Sequence, residues 1–207
     1  LIDVYLTGKE LKLAAEVDAS VSDFMTTARL YCSGLNFTFN PHRMILNKVT
    51  DCYLTREDGE RIEIQDDQLY RVVTDLYTGQ MLGSVMEMSY GLLKIEPKDK
   101  DGNPIENLEN QAIMEGDKEL KAWDAIARYM KSFDDTDGNG ISNVPEYYET
   151  THGRKVVDES RNVIDLVKNP NKFSVMIVGI VLVLILIIIL LVVLIRKLIK
   201  KRRRKKK

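Results

Sequence analysis

Cysteine and histidine are scarce in this chain. Among its 207 residues there are two of each, Cys32 and Cys52, His42 and His152. Two cysteines do not make a disulfide framework, and two histidines are too few for a zinc-type ligand cluster. Both cysteines lie in strand-like runs, so one extracellular pair and two free thiols are equally compatible with the sequence. No internal repeat is evident, and no secretory signal peptide follows Leu1. Basic residues are also missing where a nucleic-acid binder would carry them. Ten of the 30 Lys and Arg lie in the last 12 residues, which leaves 20 against all 31 acids in residues 1–172, a balance of about −11. An acidic body of this kind argues against nucleic-acid partners and suits a surface-exposed protein.

Charge is wholly absent from residues 173–195, FSVMIVGIVLVLILIIILLVVLI, and so is proline. As a helix this run is roughly 34 Å long, enough to cross a hydrocarbon core of about 30 Å. A helix satisfies every backbone polar group within the segment, and no soluble strand is this long. The next residues, 196–207, read RKLIKKRRRKKK, with ten bases and no acid; the five residues before the run, 168–172, hold two, Lys168 and Lys172. This asymmetry predicts a single-pass cell-membrane protein with the tail in the cytoplasm, against anionic lipid, and residues 1–172 outside. Export of residues 1–172 without a leader at Leu1 implies the C-terminal piece of a longer exported protein. The lack of a cell-wall sorting motif points to anchoring in the membrane itself.

Residues 1–7 alternate apolar and polar and predict a strand that Gly8 ends. Residues 9–21 carry Leu11, Leu13, Ala14, Ala15 and Val17 at amphipathic-helix spacing. Short strands are expected at 29–32 and 36–40, a longer one at 44–54, and a return at 61–64 after the Asp58-Gly59 turn. Residues 69–74 predict a further strand, 80–90 a helix, 92–96 a last strand and 98–104 a polar turn. Residues 116–133 form the clearest soluble helix, with Leu120, Trp123, Ile126, Ala127, Met130 and Phe133 in a stripe read as core packing. Pro145 suits the first turn of a short helix that ends near 152–155. Residues 158–172 read as a polar stalk. Strands mixed irregularly with helices indicate an α+β domain.

Four segments, in order, carry a family resemblance: LIDVYLTGKEL at the start, Leu-Tyr-Cys-Ser-Gly-Leu followed by Phe-Thr-Phe-Asn, the Asp-Gly turn, and LYRVVTDLY. Residues 1 to about 97 resemble the C-terminal domain of the 5′-nucleotidase family, which includes surface and periplasmic nucleotidases, UDP-sugar hydrolases and 2′,3′-cyclic-nucleotide phosphodiesterases. The resemblance implies a mixed-sheet domain that recognises the nucleoside. It also implies an upstream metallophosphatase domain in the same polypeptide, which holds two divalent metals and performs hydrolysis. None of the family's metal motifs occurs in this sequence, so no catalytic residue is expected and the fragment alone should be inactive. The family stacks the nucleobase between two aromatic rings. One lies upstream of Leu1, and Tyr77 falls at the position of the other. The family's Gly-Gly-Asp-Gly turn, whose Asp helps bind the nucleoside, is replaced here by residues 78–83, TGQMLG.

Residues 135–146, DTDGNGISNVPE, fit the calcium-loop pattern D-x-[DN]-x-[DN]-G-x5-E. Asp135, Asp137 and Asn139 would give side-chain oxygens, Ile141 its carbonyl, and Glu146 two closing oxygens, with Gly140 at the sharp turn. Ser142 departs from the apolar residue expected there. The alternative to a calcium site is a solvated Asp/Gly/Asn turn.

The expected organisation is a substrate-recognition domain (1–97), an extension with a helix and possible calcium loop (98–157), a stalk (158–172), a transmembrane helix (173–195) and a basic tail (196–207). The expected partners are a nucleotide or nucleoside, membrane lipid and the upstream catalytic domain. The alternative function is a non-catalytic, membrane-anchored binding or adhesion module.

Overall fold

A computed structural model describes the chain except residues 23, 27, 28, 90 and 205–207, and except the side chains of residue 88 and residues 202–204. The domain is built around its first helix. Strand β1 (Ile2–Thr7) buries Ile2, Val4 and Leu6 and turns its alternate residues outward, as the period-2 pattern predicts. Thr7 caps α1 (Gly8–Val21) in a reciprocal capping box with Glu10. Gly8 is required there: a Cβ on it would meet the carbonyl oxygen of Gln65 at 2.1 Å.

Helix α1 is buried on several faces. Leu11 and Ala14 pack with Leu6 and Ile95; Ala15 and Ala19 meet Phe37; Val17 joins Leu46, Leu93 and Phe173. Small alanines on one face let the helix lie close to the sheet. Three acids on α1 are buried but partnered. Glu10 receives the Lys98 ammonium at 2.6 Å, Asp18 receives Lys155 at 2.6 Å, and Glu16 accepts the backbone N–H groups of Lys48 and Val49. Burial alone would raise the Glu10 carboxyl, but Lys98 and the Thr7 and Glu96 hydrogen bonds outweigh it and hold it below its usual range.

Strand β1 pairs antiparallel with β5 (Leu69–Thr74) from Ile2↔Thr74 to Thr7↔Leu69. The larger sheet has the order β4-β3-β2-β8, formed by β2 (Leu35–Phe39), β3 (Val49–Thr55), β4 (Arg61–Glu63) and β8 (Lys155–Val157). Its last strand comes from far along the chain and runs parallel to β2. The other elements are α2 (Leu76–Met88), the small hairpin β6 (Met114–Glu115) and β7 (Lys118–Glu119), α3 (Ala122–Lys131), α4 (Val163–Val167) and α5 (Lys172–Arg204). The architecture is α+β, with one helix over Lys172–Lys201 long and apolar enough to cross a membrane.

Several boundaries differ from the sequence expectations. Residues 29–32 are irregular, and the expected strand at 44–54 starts only at Val49. The preceding residues turn instead, with Leu46 at φ 59° and its N–H donating to Ser20 Oγ at 2.8 Å. Residues 92–96 are no strand: the Glu96 N–H goes to the Glu10 carboxylate, and Ile95 fills the core as part of a loop. Helix α2 starts earlier than expected, at Leu76, because Asp75 caps it; its N-terminal part lies within the described residues, whereas Tyr90 lies outside them. The helix expected over 116–133 begins only at Ala122, since Gly116 at φ 62° turns the β6–β7 hairpin. Its apolar stripe is not core: Trp123 is 71 % exposed and Ile126 60 %. Pro145 caps a 3₁₀ turn, Glu146–Glu149, from outside, and residues 152–155 lead into a strand and not out of a helix. The expected stalk holds α4 and packs on the domain.

Glu16 gives a pH signature. Burial pushes its carboxyl up from 4.5 to about 7, against the opposing pull of the Lys48 and Val49 N–H groups and the charges of Arg43 and Lys48. Between those two pH values the folded chain holds a proton that the unfolded chain has released. Stability therefore falls as pH rises through this window and levels off above it, by at most about 3 kcal/mol. The depressed Glu10 carboxyl acts at lower pH, with the opposite sign. The melting temperature of the whole chain in detergent should fall between pH 5 and 7.5, and Glu16→Gln should remove most of that slope. An unchanged slope in Glu16→Gln would show that Glu16 is not its source.

Candidate functional site

Asp75 fixes the start of α2. Its carboxylate accepts the Thr78 N–H at 2.8 Å and the Thr78 hydroxyl at 2.7 Å. Burial raises its pKa, but these Thr78 bonds outweigh it and hold the carboxyl below its usual range. This places Tyr77 in the first helical turn, 64 % exposed. The ring stands at the rim of a cavity of about 260 Å³ between α1 and α2. Ala14, Val17 and Val21 of α1 face Leu82 and Val85 of α2 across it, and Arg29, Thr78 and Ser89 supply its polar atoms. An apolar cavity with few polar groups and a free aromatic face at its mouth can hold a flat ring.

The family's Gly-Gly-Asp-Gly turn has no counterpart in geometry either. Residues 78–83 continue the helix, and Met81 and Leu82 line the cavity. Gly79 packs closely on β1: a Cβ there would meet Ile2 Cδ1 at 2.6 Å, so the Ile2 side chain would have to shift. The sequence suggested Tyr77 as a site residue and gave no indication that Arg29, Thr78 or the α1 wall line the same cavity. The wall was visible as the stripe Ala14, Val17 and Val21, one turn apart. Arg29 carried no signal.

The remaining candidates lie elsewhere. Asp135 and Asp137 sit in the loop after α3. Asp135 accepts N–H groups from Gly138 and Gly140, each at 2.8 Å, and from Asn139 at 3.2 Å. These bonds, Gly140 first, hold its carboxyl below its usual range. Asp137 accepts the Asn139 N–H, and Asn139 accepts the Ile141 N–H. Gly138 and Gly140 take left-handed φ of 71° and 85°, as the tight turn requires. Glu146 opens the 3₁₀ turn that follows. Among the described residues, no three His, Cys, Asp or Glu side chains gather as a metal cluster. His152 stacks on Tyr147 with ring centroids 4.0 Å apart, and His42 lies 3.8 Å from Glu159. Cys32 and Cys52 are free thiols, and burial pushes Cys52 up to about 12.

A search of curated proteins gave no match. Residues 1–89 match the family model described as 5′-nucleotidase, C-terminal domain. The matched stretch runs from β1 through α2 and ends just past it, so it contains α1, the Asp75 cap and Tyr77. Over residues 1–89 the chain is thus similar to the C-terminal domain of the 5′-nucleotidase family.

Proposed function

We propose that the chain is the nucleoside-recognising and membrane-anchoring part of a surface nucleotide hydrolase, whose metal-dependent catalytic domain precedes Leu1 in the same polypeptide. The observation that carries this reading is the family match over residues 1–89, with Tyr77 exposed at a cavity mouth within it. In this reading Tyr77 stacks on the base, an interaction of about 1–3 kcal/mol in single-strand nucleic-acid binding. Residues 1–97 recognise substrate, 98–157 form an extension, α5 spans the membrane once, and its basic end lies in the cytoplasm on anionic lipid. The replacement of the Gly-Gly-Asp-Gly turn by helix favours a second reading, a membrane-anchored binding or adhesion module without catalysis.

Kinetics separate the two. The chain alone should release no phosphate from nucleotides with any divalent metal, because it lacks the ligands that make a nucleophilic hydroxide. The parent polypeptide should hydrolyse nucleotides. Tyr77→Ala should raise its KM roughly 5- to 150-fold with little change in kcat, because the base is unaltered during phosphate hydrolysis. Tyr77→Phe should cost much less. Unchanged KM in Tyr77→Ala would remove Tyr77 from the site, and a parent without hydrolysis would favour the adhesion module.

Calcium at residues 135–146 belongs to the same proposal. The support is a run of hard oxygen donors, Asp135, Asp137, Asn139, the Ile141 carbonyl and Glu146, around a glycine turn. A ligand that binds only the folded state raises its melting temperature. Millimolar calcium should do so for the whole chain in detergent, and the double variant Asp135→Ala, Asp137→Ala should abolish the shift. No shift in the wild type would leave the loop a hydrogen-bonded turn.

A further inference from the structure

The segment entering the membrane helix is bolted to the domain. Arg43 is 8 % exposed, and its guanidinium donates to four main-chain carbonyls: Asn47 at 2.7 Å, Asp165 at 3.0 Å, Lys168 at 2.6 Å and, more weakly, Asn169 at 3.5 Å. Three of these lie in residues 165–169. Asn171 donates its side chain to the Leu46 carbonyl and its N–H to Asn47 Oδ1, and its own Oδ1 caps the N–H groups of Phe173 and Ser174. Phe173, 4 % exposed, completes the cluster of Val17, Leu46 and Leu93. Among the described residues, the two non-glycine residues at positive φ are Leu46 and Asn169, and both stand at this seam. Backbone in that region costs energy and persists only where its surroundings fix it.

The length of α5 then sets the height of the domain. Exposure of its apolar residues begins at Val175, within one turn of the buried Phe173. From there to Ile195 the helix measures roughly 31 Å, about the whole hydrocarbon thickness. None is left over to hold the domain away from the lipid. The surface around Phe173 lies about 3 Å along the helix from the hydrocarbon edge, inside a headgroup layer of roughly 5–7 Å.

We infer that the outer domain rests directly on the bilayer, with the surface around the root of α5 seated among lipid headgroups. That surface has the right chemistry. Ile45, 47 % exposed, precedes the Leu46 that packs on Phe173. Lys172 starts α5 with its ammonium 4.7 Å from the Phe173 ring, and Lys168 is tied to Arg43. Lys94 follows Leu93 and is paired with Glu96 at 3.0 Å. In a domain of net negative charge, Lys172 places its ammonium at the root of α5, where it suits anionic headgroups, whereas Lys94 is neutralised by Glu96. The inference rests on the reading of α5 as a membrane span.

The test is nitroxide depth measurement on the whole chain, reconstituted in bilayers containing anionic phospholipid, in a background of Cys32→Ser and Cys52→Ser. Single labels are carried by Ile45→Cys, Val183→Cys and Glu57→Cys. The label at 183 should lie in hydrocarbon, the label at 45 at headgroup depth, and the label at 57 in water. Arg43→Gln should move the label at 45 towards the aqueous value and leave 183 in place. If 45 matches 57 in the wild type while 183 is in lipid, the seating is overturned and the span stands. If 183 is itself aqueous, the span and the seating fall together.

Discussion

A buried guanidinium that bonds to main-chain carbonyls is the joint on which this molecule turns. Arg43 is held by Asn47 on its own loop and by residues 165–169 on the segment that leads into α5. A buried charge is tolerated only when its hydrogen bonds are met, and main-chain carbonyls supply them here. The cost of losing the contact is therefore large: removing the segment would leave the cation unsatisfied. The same loop carries Leu46, whose left-handed backbone lets its side chain reach Phe173 and Val17. The domain and α5 consequently share a core.

That shared core also borders the cavity between α1 and α2. Val17 faces Phe173 in one cluster and also lines the cavity at whose rim Tyr77 stands. Val21, Val85 and Leu93 likewise belong to both. Helix α1 is the common wall, with Ala15 and Ala19 against Phe37 of the sheet and Ala14, Val17 and Val21 towards the cavity.

Local pattern made part of this legible. The alternation in residues 1–7, the helical stripe of α1, the Asp58-Gly59 turn and the uncharged run of α5 each depend on neighbours in sequence, and each stands where it was expected. The order of four segments sufficed to suggest the family that residues 1–89 match. What depends on distant residues was not legible. Strand β8 joins β2 across more than a hundred residues, and nothing in Lys155–Val157 names its partner. Arg43 lies in an ordinary polar turn, so its burial could not be read. The stripe on α3 showed one apolar face but could not show that Trp123 and Ile126 stay exposed. The helical position of Tyr77 was within reach, since Asp75 followed by Thr78 is a cap signal at the start of an apolar run.

The tie between the domain and α5 runs, without a free stalk, through α4 and the bonds to Arg43. Hydrogen exchange of the whole chain in lipid nanodiscs tests it most directly. Amides of Leu166, Lys168, Asn171 and Phe173 all have acceptors in the structure. Protection at these positions should approach that of α1, because opening them requires the shared core to open, and Arg43→Gln should lower it selectively. Exchange of residues 163–173 at the rate of an unstructured chain, with α1 still protected, would contradict the account.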